Sequence, residues 1–520
     1  MTSVNERQYQ IPFCQVLSAE GETILYVSSH GPFEKGKDVI TRTASGEIRA
    51  YQLKAGDVGL SEWRSIYGEI TNLVELAIEF SGQPPITAFV PFLVTNGELT
   101  DPVLEQVRVA NITWTNRGIT KELRIIQKGE LLERFRDSHG AYLPQDLADF
   151  RTFLELILHD GGAPAEKEKA ARLIEHILPV EPERENCLNI ARASASIVLL
   201  IAYICGPATL ALNHWSAFEY WVLAAAYVLY LSEKSSSACS VSCRESFDLC
   251  ELAAQNALDA LSTECVARPN LVQGFPILEG HTYRTRVALL AGLLSARDLS
   301  VRIRGKTRDH VFVADSFLRS HLKEAQLWGE SGVPYLFLAA LEVERNCRTA
   351  AAEAVIVQVI RQVTALNGVS AEGKGLPSPY YSPEEAMRFN YGLDQFNLDQ
   401  FVGHSYTVAA AIDFLARRWL RQTVASLWFG ITRMALTSYV PGNPSEWFRW
   451  RSSDGVLSST LPGEPQSWTA LRTQAETVSL VGLPKTLVER PAFALWFVLV
   501  YPHRFTPATA MLIEDSLLKS

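Results

Sequence analysis

Between residues 20 and 130, apolar and polar positions change places in short runs: "TILYVSS", "DVITRT", "IRAYQLK", "AFVPFLVT" and "ELRIIQK". Turn signals such as "ASGE" and "TNGE" separate them, which predicts five strands. Two stretches shift to the helical period. In "SEWRSIYGEITNLVELAIEF", Trp63, Ile66, Ile70, Leu73, Leu76 and Ala77 fall at helical spacing. In "DPVLEQVRVAN", Asp101 is placed to cap a helix that Pro102 opens. Residues 6–20 read as only a poor helix. Residues 1–140 are therefore expected to form one mixed α/β domain.

Beyond Leu143 the helical period dominates, over 145–178, 187–232, 244–265, 283–299, 311–329, 334–367, 404–438 and 468–480. Strand signals are rare there. An all-helical region of this length is usually a stack of helical pairs, although no fixed repeat length emerges. The Gly-, Pro- and Ser-rich stretches 367–385 and 452–467 read as linkers or excursions. The expected organisation is an α/β domain over 1–140, an all-helical domain over 141–366 and a mostly helical domain over 386–520. The apolar, aromatic "RPAFALWFVLVYPHRF" near the end reads as a core strand or helix.

One run, Ala193 to Phe218, carries no charge, and a second apolar run follows from Tyr220 to Leu231. The first is long enough to cross a membrane. Gly206-Pro207 is expected to break it in the middle, and the second is too short to span. A buried helical hairpin is the expected reading, with a membrane-associated effector as the alternative.

Composition sharpens this picture. At 520 residues the chain is long enough for two to four domains, and with nearly half its residues apolar it is globular rather than disordered. The net charge of −9 argues against a coat-like nucleic-acid binder but leaves room for an enzyme with a local basic groove. Eight irregularly spaced cysteines form no disulfide framework. The N-terminus shows no basic-then-apolar signal pattern. A cytoplasmic protein with free thiols is expected.

The chemistry concentrates in residues 30–57, "HGPFEKGKDVITRTASGEIRAYQLKAGD". If "KDVITRT" and "IRAYQLK" pair through the "ASGE" turn, Asp38 starts the first strand while Gln52 and Lys54 end the second. Residues two apart share a face, and antiparallel pairing brings these ends together. Glu34 can approach from upstream, and Tyr51 and Leu53 point to the opposite, buried face. Carboxylate and amide oxygens suit Mg²⁺, with Mn²⁺ as a substitute. A lysine beside the metal can orient water and stabilise charge on a phosphate. The plainer alternative is a solvated hairpin in which Asp38 and Lys54 form a surface ion pair.

"E-x-G-K-D-V-I", a turn and "Y-Q-L-K-A-G-D" resemble the core of the PD-(D/E)XK restriction-endonuclease-like nucleases, most closely the Mrr-like Q-x-K variants. The likeness covers about a quarter of the chain. It implies a helix, three strands, a helix and a strand. It also implies Asp38 as metal ligand, Gln52 at the variable ligand position, Lys54 as catalytic lysine and Glu34 as auxiliary acid. The family often carries a further acid on its first helix. By this resemblance the chain is a Mg²⁺-dependent endonuclease, acting on DNA ahead of RNA. Its architecture is analogous to bacterial restriction and anti-phage defence effectors, in which a helical region senses a trigger and binds a partner protein or a second copy. The alternative is a degenerate nuclease fold that binds nucleic acid or protein without turnover.

Other signals are weaker. Cys239, Cys243, Cys250 and Cys265 lack a paired C-x-x-C knuckle and read as packing residues rather than a zinc site. His404 reads as a capping or packed residue at a helix start. His159, His176 and His214 have no acid at useful spacing. Basic clusters at 300–308 and 416–422 read as helix-face charges, the first with an option on phosphate. No phosphate-binding loop is present.

Overall fold

The computed structural model describes residues 6–28, 36–79, 85–131, 133–134, 147–158, 160–268, 280–305, 310–368, 375–393, 402–452, 454–460 and 466–519. The chain divides into two compact units, Met1–Leu147 and Ala148–Ser520.

The first unit runs α1 (Glu6–Ala19), β1 (Thr23–Val27), β2 (Val39–Arg42), β3 (Ile48–Lys54), α2 (Leu60–Glu75), β4 (Val90–Thr95), α3 (Asp101–Asn116) and β5 (Arg124–Ile126). All five strands fall where the alternation places them. They form one sheet in sequence order. β1, β2 and β3 pair antiparallel, and β4 and β5 continue the sheet in parallel.

The weak helix expected over 6–20 is instead a continuous α1, with Pro12 inside it. Tyr9, Phe13, Val16 and Leu17 lie at helical spacing and are buried. Their packing against Val39, Tyr51, Leu53, Phe92 and Val94 outweighs the donor lost at proline. The opposite face of the sheet is covered too. There Ile40, Ala50 and Leu93 pack with Ile70, Leu73 and Val74 of α2 and Val103 and Trp114 of α3. Both faces are therefore buried, not only the one carrying Tyr51 and Leu53.

The second unit is mostly helical. Its elements begin with α4 (Leu147–Ile157), α5 (Lys167–Ile177), α6 (Cys187–Leu210), α7 (His214–Lys234), α8 (Ser237–Ser240), α9 (Arg244–Ala267) and α10 (Gly280–Ile303). They continue with α11 (Ala314–His321), α12 (Val333–Arg345), α13 (Thr349–Asn367), α14 (Pro383–Asn390), α15 (Val408–Arg417) and α16 (Arg421–Ile431). α17 (Trp468–Glu476), α18 (Lys485–Val488), α19 (Pro491–Val500) and α20 (Pro507–Lys519) complete the helices.

Several expectations change here. The segment 404–438 is not one helical stretch. It holds β6 (His404–Ser405) and the start of β7 (Ala435–Pro441), and its helices break at Trp419, whose φ is +60°. The expected linker 452–467 contributes β8 (Gly455–Ser459), antiparallel to β7. Exposed Leu457 and Val456 gave this strand no buried face to read.

Gly206-Pro207 does not divide α6: the helix runs on through Pro207 to Leu210, even though the proline removes one donor from the ladder. Backbone approach is close there: a Cβ on Gly161 would lie 2.0 Å from the Pro207 carbonyl oxygen. α6 and α13 are long and apolar enough to cross a membrane, and just over half of the α6 window is buried. α19, from the last aromatic segment, is buried along nearly its whole length.

The free-thiol expectation fails at one pair: Cys187 and Cys239 are disulfide-bonded, joining the start of α6 to α8. Linear spacing gives no sign of this, since the two are 52 residues apart. Two buried carboxylates brace the helices. Asp298 accepts from Arg297, His310 and the backbone N–H groups of Val313 and Ala314. Glu330 accepts from Asn367, from the Ser405 and Thr407 hydroxyls and from the N–H groups of Tyr406 and Thr407.

Candidate active site at the end of the β2–β3 ladder

The β2–β3 register pairs Val39 with Tyr51 and Ile40 with Ala50. One step further, the Asp38 N–H donates to the Tyr51 carbonyl. Alternation then puts Asp38, Gln52 and Lys54 on the face covered by α2. The three residues converge as the turn and register require.

Asp38 is 6% exposed and held on several sides. Its Oδ2 accepts the Leu53 N–H at 2.7 Å. Its carbonyl accepts from Ser28 N–H and from Gln10 Nε2 of α1. Preceding it, Gly36 has φ +72°, and a Cβ there would lie 2.5 Å from the Glu69 carbonyl oxygen of α2. Only glycine lets the chain enter β2 this close to α2.

Gln52 is 4% exposed, and its Oε1 has no hydrogen-bond partner. An orphaned buried amide oxygen carries a desolvation cost of about 1–3 kcal/mol.

Lys54 Nζ lies 2.7 Å from Glu69 Oε2 on α2 and 3.7 Å from Glu6 Oε1 in the first turn of α1. Burial works against the ammonium. The Glu69 bond and the charges of Glu6, Glu69 and Asp38 outweigh it, so the lysine pKa lies above its ordinary value. The Lys54 carbonyl accepts from the Tyr9 hydroxyl at 2.7 Å. Burial, then the Glu6 charge, hold that phenol neutral far above its ordinary range. After Lys54 the chain turns at Gly56, φ +78°, which is pinned to the end of β4 by Asn96 and Thr95.

The simple Asp38–Lys54 surface pair is thus replaced by an arrangement in which a half-buried Lys54 is held by two other acids that remain partly exposed. Glu6 and Glu69 were missed in the sequence. The stripe Tyr9, Phe13, Val16 and Leu17 held the signal for α1, and hence for Glu6, but Pro12 obscured it. Glu69 carries no local signal, because only the packing of α2 brings it to Lys54. Glu34 lies outside the described residues, as does His159.

The donor set fits a hard divalent cation of the Mg²⁺ kind. Asp38 offers a carboxylate, and Gln52 offers an amide oxygen with no protein partner. Among the described residues no group of three or more His, Cys, Asp or Glu is placed to hold a metal. A cation here would take most of its shell from water and phosphate oxygens, as Mg²⁺ commonly does.

The remaining candidates carry structural roles. Cys239, Cys243 and Cys250 are buried, and Cys265 is half-buried. His404 is exposed on β6, not at a helix start, since α15 begins at Val408. His176 does have an acid partner, Asp149 at 2.5 Å, and His214 lies 3.9 Å from Glu264. Four arginines of the basic clusters form ion pairs among the described residues. Arg302 and Arg304 pair with Glu342 and Glu251, and Arg417 and Arg418 pair with Glu514 and Glu344. No family model, curated protein or solved structure matches the chain.

Proposed function

We propose that the N-terminal unit is a metal-dependent nuclease domain that hydrolyses nucleic-acid phosphodiesters, DNA ahead of RNA. The observation that carries this reading is the convergence of Asp38, Gln52 and Lys54 at one strand end, with the Gln52 amide oxygen buried and unpartnered. The element order, helix, three strands, helix, strand, with β4 parallel to β3, supports it.

Asp38 and Gln52 would hold the cation. When bound, it supplies charge neutralisation at the phosphate and an acidified water. Lys54 stays protonated and orients that water or offsets the negative charge that grows on phosphorus oxygens. Glu69 and Glu6 position the ammonium at the strand end. The Leu53 N–H fixes one oxygen of Asp38.

A second reading rests on one contact. At 2.7 Å from Glu69, Lys54 is already ion-paired, and Gln52 stands where a carboxylate is usual in the resembled family. A degenerate site that binds nucleic acid or protein without turnover would carry the same features.

The test is incubation of the full chain with plasmid DNA and with single-stranded RNA, in Mg²⁺, Mn²⁺ or EDTA. Cation-dependent cutting that disappears in Lys54→Ala and Asp38→Asn supports the nuclease. Cutting retained in both variants removes the site assignment. Binding of nucleic acid without cutting under every condition favours the second reading.

A further inference from the structure

The second sheet runs β6-β7-β8, so β8 (Gly455–Ser459) is one of its edges. The register fixes which backbone groups that edge presents. Thr437 stands opposite Ser459, Tyr439 opposite Leu457 and Pro441 opposite Gly455. At the two ends of the ladder, Thr460 N–H donates to the Leu436 carbonyl and Gly442 N–H to the Asp454 carbonyl. Hydrogen-bonded pairs alternate with non-bonded ones along an antiparallel ladder. Asp454, Val456, Ser458 and Thr460 therefore turn their backbone groups toward β7. Gly455, Leu457 and Ser459 turn theirs outward, where no strand among the described residues meets them.

Natural edges are commonly blunted by charge, proline or a bulge. β8 carries none of these. From Gly455 to Thr460 the chain reads "GVLSST", and its register with β7 is unbroken. Val456 is 65% exposed and Leu457 53%.

We propose that β8 pairs antiparallel with β8 of a second copy of this chain, about a two-fold axis at Leu457. The inference is independent of the nuclease reading. Backbone parity fits this register. Leu457 meets itself, and Gly455 meets Ser459 of the second copy, so every outward N–H and C=O faces an outward partner. Charge fits as well. Asp454, just before the strand, falls opposite the uncharged Thr460 of the second copy. The two Asp454 residues stand six positions apart along the strands, about 20 Å. Side chains fit too, since the Leu457 pair shares one face and covers apolar surface that a single copy leaves in water. A strand from another protein would have to bring its own uncharged edge of matching parity; each copy of this chain already carries one. Such a contact is self-complementary and closes at two copies. Strand pairing alone is a small contact, so the dimer is expected to dissociate on dilution.

Sedimentation velocity of the full chain over a wide range of concentration tests this, with amide hydrogen exchange at both ends of the range. The chain should pass from monomer to dimer as concentration rises. Over the same range the amides of Leu457 and Ser459 should become protected. Those of Val456 and Ser458, already bonded to β7, should change little. Leu457→Lys sets like charges across the axis and should raise the dissociation constant by roughly tenfold or more. Ser459→Pro removes an outward N–H that β7 does not use and should also weaken the dimer. Both positions are exposed, so both variants should melt close to the parent. The proposal is overturned if the chain stays monomeric at the highest concentration, which would leave the edge to a strand from another protein. It is also overturned if a dimer forms without protecting Leu457 and Ser459, or if both variants dimerise like the parent.

Discussion

Two buried sites, one in each unit, hold their polar groups in opposite ways. In the helical unit, Glu330 and Asp298 are at most 1% exposed, and both oxygens of each accept hydrogen bonds from named donors. In the sheet unit, Gln52 is nearly as buried, yet its oxygen has no partner, and a lysine and an aspartate share its strand end. A saturated buried acid is a brace: it converts loose donors into fixed geometry. The unsaturated Gln52 oxygen, beside Asp38 and Lys54, is the basis of the proposed cation site.

The contrast predicts opposite responses to substitution. The largest effect belongs to the open site. Lys54→Ala and Asp38→Asn should lower cation-dependent cleavage by roughly a thousandfold, as losing a group that stabilises transition-state charge does. Asp38→Asn keeps an oxygen for the Leu53 N–H, so its melting temperature should stay close to the parent's. A large drop in melting with unchanged specific activity would make Asp38 a brace like Glu330.

Next comes the brace itself. Glu330→Ala removes the acceptor of five hydrogen bonds, although Asn367 Nδ2 keeps the His404 carbonyl, and should cost roughly 4 kcal/mol in urea unfolding, with no direct effect on the strand-end chemistry. A loss under about 1 kcal/mol would mean those donors find new partners, and would weaken the comparison.

Asp413 tests an intermediate case, a buried acid in the helical unit with one unpartnered oxygen. Burial, opposed by Arg417 and assisted by Glu514, raises its pKa from 3.8 to about 7. The folded chain therefore holds a proton there that the unfolded chain has released. That advantage is full below about pH 4 and is lost as pH rises to about 7. Asp413→Asn lacks this titration. Between those pH values the parent should lose about 3 kcal/mol relative to the variant, measured by denaturant midpoints. Parallel pH profiles for the two chains would remove the shift.

The smallest effect is expected at Gln52. Because its oxygen gains nothing from the protein, Gln52→Leu should change stability by no more than about 1 kcal/mol in either direction. The same substitution should reduce cutting. A clear loss of stability would show that the amide is structural after all.

Much of this could be read before any coordinates. Alternation placed all five strands of the sheet, and the helical period placed α2, α3, α9 and α10. Turn and register alone were enough to bring Asp38 opposite Gln52, because antiparallel pairing is local and side-chain parity is strict. Less could be read where context outvoted local preference. Pro12 masked α1, and α1 carries Glu6. The strands β7 and β8 lay inside segments read as helix and linker, because β8 is exposed and offers no buried period to detect.

The difference follows the range of the forces. Secondary structure and register depend on neighbours along the chain or across one turn, so residue order specifies them. Which acid holds Lys54, which cysteines join and which buried oxygens stay unpaired depend on groups far apart in sequence. Glu6 reaches Lys54 from α1, Glu69 reaches it from α2, and Cys187 meets Cys239 across a helical hairpin. Only packing of the whole unit sets those distances, since burial of apolar faces positions the helices and the polar groups take whatever partners that packing leaves within reach.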